Sequence, residues 1–406
     1  MEIRPILASL RKHRIPALLI VLEIALACAV LCNAVFMISQ RIADIRVADA
    51  IDEQGLSMAY VNGNDPDHAS SDIPRDLDFL RSIDGVKAAA AINSLPLSNS
   101  DWGTTLSTTP DQQIAATTGV NAGEYFYTRG GERALGLRLL QGRWFNDAEY
   151  ANSTLGDSFM PSAHVIIVTD SLAKRMWHGQ SALGKPVYAD KVGYTVIGVV
   201  ADVLRASRHK DGVGAFYYSG FFPLSESKGL NFYVMRSSPN DRQRIVREAV
   251  DGLGKLAPTA VVKGNTFSQM RDKYFADTRS MAWLLVLVCV VMLAVTAFGI
   301  VGLTSFWVGQ RRRQIGIRRA IGATRGHIFS YFRVENFLLS TAGVVIGMAL
   351  AYGINLYLMQ HYELPRMPWY YLPGGAIALW VLGQLAVLGP ARRAAAVPPV
   401  VATRSG

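Results

Sequence analysis

MAWLLVLVCVVMLAVTAFGIVGLTSFWV, residues 281–308, continues at 309–333 as GQRRRQIGIRRAIGATRGHIFSYFR, and this junction decides the fold. The first part carries no charge and exceeds the ~20 residues that cross a ~30 Å hydrocarbon core at ~1.5 Å per residue. The second part holds seven arginines and no acid. Basic residues beside a span mark the cytoplasmic side, because carrying them across the bilayer is disfavoured. A membrane span therefore ends here on the inside.

Working outward, comparable runs without Lys or Arg lie at 15–39, 336–360 and 369–390, with none between 40 and 280. The expectation is an α-helical membrane protein with four transmembrane helices in a one-plus-three layout. A large α+β extracytoplasmic domain, 40–280, is inserted between the first and second spans. The flanks agree: Arg4, Arg11, Lys12 and Arg14 precede the first span, and Arg392, Arg393 and Arg404 follow the fourth. Segment 1–14, loop 309–335 and tail 391–406 are then cytoplasmic, and 361–368 is a short outer loop. The net charge of +10 sits in these flanks, while 41–280 holds 26 basic against 27 acidic residues. That distribution argues against nucleic acid as a partner and for contact with anionic membrane lipid.

The basic start suggests a signal peptide, but the apolar run of 15–39 exceeds a 7–15 residue h-region and no small-x-small site closes it. Ala25-Leu26-Ala27-Cys28 is a poor lipobox. Cys28, Cys32 and Cys289 all lie in expected spans, so the outer domain has no disulfide framework and must fold by an ordinary core, expected as two subdomains. Branched and aromatic clusters predict strands over 56–61, 86–92, 165–168, 194–203, 215–222 and 231–236. Periodicity predicts helices over 74–83, 170–177 and 241–253, with Asp170 and Asp241 as N-caps. Residues 63–72, 98–113 and 148–163 read as loops, and 266–279 as a helix running straight into the second span. Trp102, Trp144 and Trp177 are expected to be packing residues.

Catalytic patterns fail on inspection. Gly179 to Lys185 (GQSALGK) imitates a phosphate-binding loop, but Pro186 stands where a Ser or Thr must hold magnesium. The seven histidines form no pair at metal-ligand spacing, and no nucleophile elbow occurs. No metal or cofactor is expected in this chain, so its energy must come from a partner.

Two features inside the spans stand out. Glu23 puts a carboxylate in the first span, a cost of roughly 2.5–3.5 kcal/mol at a helix centre, and reads as a helix contact or latch, or as a snorkelling side chain. Gly343, Gly347 and Ala351 recur at four-residue spacing, giving the third span a small-residue face for packing within or between subunits. Ala25 and Ala29 repeat this weakly in the first span.

The inner loop is more than a retention signal. Apolar Ile315, Ile317, Ile321, Ile328 and Phe329 are spaced through it and three glycines, Gly316, Gly322 and Gly326, break it. A short amphipathic helix is expected after Ala323, with Thr324 near its start. QIGIRRAIGATRGHI at 314–328 resembles the signature of FtsX-like permease domains, and PARRAA at 390–395 with Pro399, Ala402 and Arg404 resembles that domain's close, giving an extent of about 281–404. LGLRLLQGRWFNDAE at 135–149, VIIVTDSLAKRMWHGQSALGKPV at 165–187 and YTVIGVVADV at 194–203 resemble the periplasmic core domain of MacB-like permeases.

The resemblance implies a type VII ABC system in the bacterial inner membrane, with porter-like and sabre-like outer subdomains. It implies two permeases, identical or merely related, with two copies of a cytoplasmic ATPase that binds ATP and magnesium. Because this chain begins almost at its first span, that ATPase is expected to be a separate polypeptide. By position, Ile315, Gly316, Arg318, Ala320, Gly322 and Ala323 would form the coupling elbow. Thr324, Arg325, His327 and Ile328 would lie on or beside the docking helix. Gln314 departs from the family's usual Glu. Mechanotransmission driving efflux, with an adaptor and an outer-membrane duct, is the implied activity. The alternatives are control of an envelope hydrolase, a peptide response, or lipoprotein release.

Overall fold

The computed structural model describes residues 14–63, 66–100, 102–156, 159–189, 191–207, 214–226, 229–362 and 366–398. The chain divides into two compact units, 1–46 with 277–406, and 47–276.

The first unit is helical. Arg14–Ile45, Ala276–Gln310, Arg325–Tyr362 and Tyr371–Ala395 are its four long helices, each apolar enough to cross a membrane. All extend beyond the apolar runs, because helix persists through polar flanks once nucleated. Half of the first helix's most apolar stretch is buried, against 17% of the second's, so the first is the central helix and the second the peripheral one. Between the second and third lies a short helix, Arg312–Ala320. No separate docking helix follows Ala323: the helix that opens at Arg325 continues as the third span to Tyr362. The independent short helix precedes Gly322 instead, because Gly322 ends it and nothing after Arg325 interrupts helical hydrogen bonding.

The second unit is α+β. Strands β1 (Leu56–Asn62), β2 (Ala88–Ile92), β10 (Phe232–Arg236) and β11 (Val261–Thr266) form an antiparallel sheet in the order β11-β1-β10-β2. Helix Ala69–Ser82 links β1 to β2, and helix Arg242–Leu256 links β10 to β11. This is a split βαβ pair of ferredoxin-like order. Ile245, Ala249 and Leu253 recur at four-residue spacing, so the second of these helices buries one face in the core.

The remaining strands are inserted between β2 and β10: β3 (Gly103–Ser107), β4 (Val120–Tyr127), β5 (Leu139–Gly142), β6 (Val165–Thr169), β7 (Pro186–Ala189), β8 (Val192–Val200) and β9 (Ser219–Pro223). Their order β4-β3-β7-β8-β6-β9 closes on itself, because β9 also pairs in parallel with β4 over Gly123–Tyr127 and Ser219–Pro223. The ring removes its own edges. It meets the first sheet at the register pair Ile92 and Tyr127. The two halves expected from size are thus parts of one 11-stranded sheet.

Several local expectations are corrected. Thr169, not Asp170, is the N-cap of helix Asp170–Trp177, and it lacks a side-chain cap bond because its hydroxyl oxygen accepts from Ser219 N–H at 3.1 Å instead, while donating to Tyr217 O at 2.6 Å. Asp241 is the N-cap of its helix as expected, with a helical backbone (φ −90°, ψ −16°) and no side-chain cap bond, and its carboxylate accepts from Ser238 Oγ at 2.5 Å. Residues 214–217 form a 3-10 turn, not strand, and the stretch read as loop at 98–113 contains β3. The helix expected over 266–279 breaks at Phe275 (φ −92°, ψ 6°), between helix Phe267–Tyr274 and the second long helix. Trp177 is buried and Trp102 packs edge-on to Phe126 at 5.9 Å. Residues 179–185 leave a helix and lead into β7, the reverse of a phosphate-binding loop.

Candidate functional site

The basic loop is a built structure. Helix Arg312–Ala320 buries Ile315 and Gly316 and turns Ile317 outward. Its end is a Schellman motif: Ala323 N–H donates to Arg318 O at 3.0 Å and Gly322 N–H to Arg319 O at 3.2 Å. This closure needs a left-handed residue after the cap, and Gly322 supplies it with φ +104°. Thr324 then opens the next helix, accepting from His327 N–H at 3.2 Å. Two helices are thereby joined by a tight turn whose apex, Ile321, is 82% exposed. Ala320, Gly322, Thr324, Arg325 and His327 are also exposed, Ala323 is half-buried, and Ile328 is buried beneath them. The arrangement presents an apolar tip, Ile317 and Ile321, ringed by arginines.

Beneath the tip lies a buried ion pair that motif reading missed. Arg311 Nη1 donates to Glu335 Oε1 at 3.0 Å and to Oε2 at 3.3 Å, and the two residues are 7% and 2% exposed. The guanidinium also sits 5.3 Å above the Trp307 ring. Removing one member of such a pair costs roughly 3–5 kcal/mol, because the other is left charged and unpaired. The pair joins the end of the second long helix to the start of the third. The available signal was Glu335 itself, the sole acid between Asp277 and Glu363.

A second tie runs to the last helix. Arg319 Nη1 donates to Ala395 O at 3.3 Å and Val397 O at 2.7 Å, satisfying carbonyls at that helix end. Ile315 and Ile328 share an apolar cluster with Ala391 and Ala394. The loop is therefore gripped by three of the four long helices.

The small-residue face packs on the first helix. A Cβ at Gly343 would lie 2.8 Å from Ile24 Cβ and 2.9 Å from Val21 O, and one at Gly347 would overlap Cys28 and lie 2.7 Å from Ala25 O. Ala351 is fully buried, and its carbonyl accepts from Asn33 Nδ2 at 3.1 Å. Such close approach lets backbones meet without large side chains. Glu23, on the same first helix, turns toward the second, where a Cβ on Gly299 would overlap both carboxylate oxygens or come within 2.5 Å of them. The structure thus brings the loop residues together as one site and places Glu23 and the small-residue face in separate helix contacts.

Comparison with known proteins agrees with this anatomy. Residues 24–252 match the MacB-like periplasmic core domain, over half of the chain. The chain belongs to the MacB-like ABC transporter permeases. Residues 286–399 of this MacB-like permease match the FtsX-like permease C-terminal domain, which contains the whole loop. The macrolide export ATP-binding/permease protein MacB of Chromobacterium violaceum is 26% identical over 284 residues, covering 66% of this chain and 41% of that protein. The uncharacterised ABC transporter permease YknZ of Bacillus subtilis is 24% identical over 278 residues, 66% of each chain. The permease thus spans about two-fifths of the one relative and just under two-thirds of the other. The periplasmic region of MacB from Actinobacillus actinomycetemcomitans superposes with a TM-score of 0.38 at 16% identity, covering 58% of this chain and 97% of that one.

Proposed function

We propose that this chain is the permease subunit of a MacB-like exporter whose ATPase is a separate cytoplasmic polypeptide, present in two copies beside two permeases. Both termini and the basic loop face the cytoplasm, and the α+β unit lies outside, in the periplasm of a Gram-negative envelope. ATP and magnesium are bound by the partner. The observation that carries this reading is the exposed apolar tip at Ile321 seated on buried ties to three long helices. An exposed isoleucine on a rigid, glycine-closed turn is a poor lipid anchor and a good knob for a groove on a soluble partner. Force applied there moves helix ends directly.

The second, third and fourth long helices hold few charges, so the substrate is handled by the outer unit and not passed between the helices. Efflux of a drug or peptide, through an adaptor and an outer-membrane duct, is the activity this supports. The test is reconstitution of the permease with its ATPase in vesicles. Wild-type permease should raise ATP hydrolysis several-fold, and Ile321→Glu should remove the stimulation with the permease still folded. Equal stimulation by both would overturn the docking role. Deletion of the gene should raise drug or peptide sensitivity with normal division; altered morphology without compound accumulation would favour a regulatory role.

A further inference from the structure

Beside the tip lies a small polar cavity of about 40 Å³, lined by Arg311, Gln314, Arg318 and Tyr331 over an apolar floor that includes Ile315 and Phe332. One water needs ~10–15 Å³ of such space, so the cavity takes a group with two oxygens but not a bulky one. Its chemistry is cationic. Arg311 is 7% exposed, and while its Nη1 is committed to Glu335, its Nη2 has no hydrogen-bond partner. Arg318 stacks 5.2 Å over Tyr331 and forms no ion pair or hydrogen bond from its side chain among the described residues. Two guanidinium groups against one carboxylate, Glu335, leave the pocket one negative charge short. Gln314 lines it as a neutral donor or acceptor.

We infer that this cavity is a receptor for an Asp or Glu side chain of the ATPase, which completes the charge balance when the two subunits dock. This rests on the docking role proposed above and names the chemistry of the partner at that site. Gln314, Arg318 and Ile321 recur at i, i+4 and i+7, so the mouth of the cavity and the exposed tip share one face. A soluble protein that receives the tip therefore meets the pocket as well. A planar, two-oxygen carboxylate suits the guanidinium forks. The incoming charge would bridge Arg311 and Arg318, and through Arg311 and Glu335 would bind the ATPase to the second and third long helices at one point. The apolar tip supplies contact area and the pocket supplies register.

The test uses the full-length permease in nanodiscs with its ATPase subunit, made with neutral lipid alone or with added phosphatidylglycerol. Arg318→Glu should weaken ATPase association by roughly 10- to 100-fold in both lipids. Gln314→Glu, which places a carboxylate in the cavity from the permease itself, should weaken it by roughly 10-fold and serves if Arg318→Glu does not fold. Reversal of one surface Asp or Glu of the ATPase to Lys should restore association with Arg318→Glu and with no other variant. The inference is overturned if both permease variants bind as wild type, or if no acid-to-Lys change restores binding. It is overturned equally if the loss appears only with phosphatidylglycerol, which would make the ligand a lipid phosphate, or if 20 mM sodium phosphate protects the cavity as well as the ATPase does. If Ile321→Glu alone abolishes binding, the docking role stands and the carboxylate receptor falls. If no loop variant matters, both fall.

Discussion

Replacing Gly322 isolates the geometry of the elbow from its contacts. Gly322 has φ +104°, and a Cβ there would meet nothing within 4 Å, so a side chain at 322 clashes with no neighbour. The penalty is purely conformational, roughly 1–2 kcal/mol for an L-residue forced into the left-handed region and larger for a β-branched one. Asn tolerates that region better than Ala. If docking needs the Schellman closure, the docking-competent population should fall in the order Gly, Asn, Ala, Val. A cost of 1–2 kcal/mol corresponds to about a 5- to 30-fold loss. The turn is exposed, so thermal unfolding of the permease should change little while stimulated ATP hydrolysis declines along the series. Gly322→Val matching wild type, or Gly322→Asn failing as badly as Gly322→Val, would refute the argument that backbone hand at 322 sets the elbow.

Neutralising Glu335 as Gln should lower the stability of the detergent-solubilised permease by about 3–5 kcal/mol, read as a marked fall in melting temperature, and the double change Arg311→Met with Glu335→Leu should recover most of it. Gly299→Ala should destabilise by driving a methyl into the Glu23 carboxylate, with a double-mutant cycle against Glu23→Ala showing strong coupling; additive effects would place Glu23 elsewhere. In the outer unit, burial, reinforced by the charge of Glu53, pushes the Asp49 carboxyl up to about 7. The folded state then holds this proton more tightly than the unfolded chain, whose Asp titrates near ~3.9, so stability should fall as pH rises from about 4 to 7. Asp49→Asn should flatten that part of the profile in chemical unfolding of the intact chain.

The spans were legible because long apolar runs without Lys or Arg, over 15–39 or 281–308, have few structural explanations other than a bilayer. Gly322 was legible through its motif, and the Schellman bonds give its physical reason. Strand β4 was not, since Asn121, Gly123 and Glu124 interrupt its apolar pattern, yet it runs between β3 and β9 in a closed ring, where Gly123 and Glu124 are buried and Asn121 is half-buried. The break at Phe275 escaped notice because Thr266 and Gln269 form a capping box that starts helix convincingly, and nothing local announces the end. Arg311 and Glu335 are separated by the whole elbow, and in sequence Arg311 is one arginine among seven. Only the folded loop shows that it is the buried one.

The proposed function stands on motion that begins at the Ile321 tip and ends in the outer unit. Spin labels placed on the outer units of paired permeases, in nanodiscs with the ATPase, report that motion as a distance. ATP should shift the distance in wild type, and Ile321→Glu should hold it at its nucleotide-free value. A distance indifferent to ATP, or a shift that survives Ile321→Glu, would contradict the account.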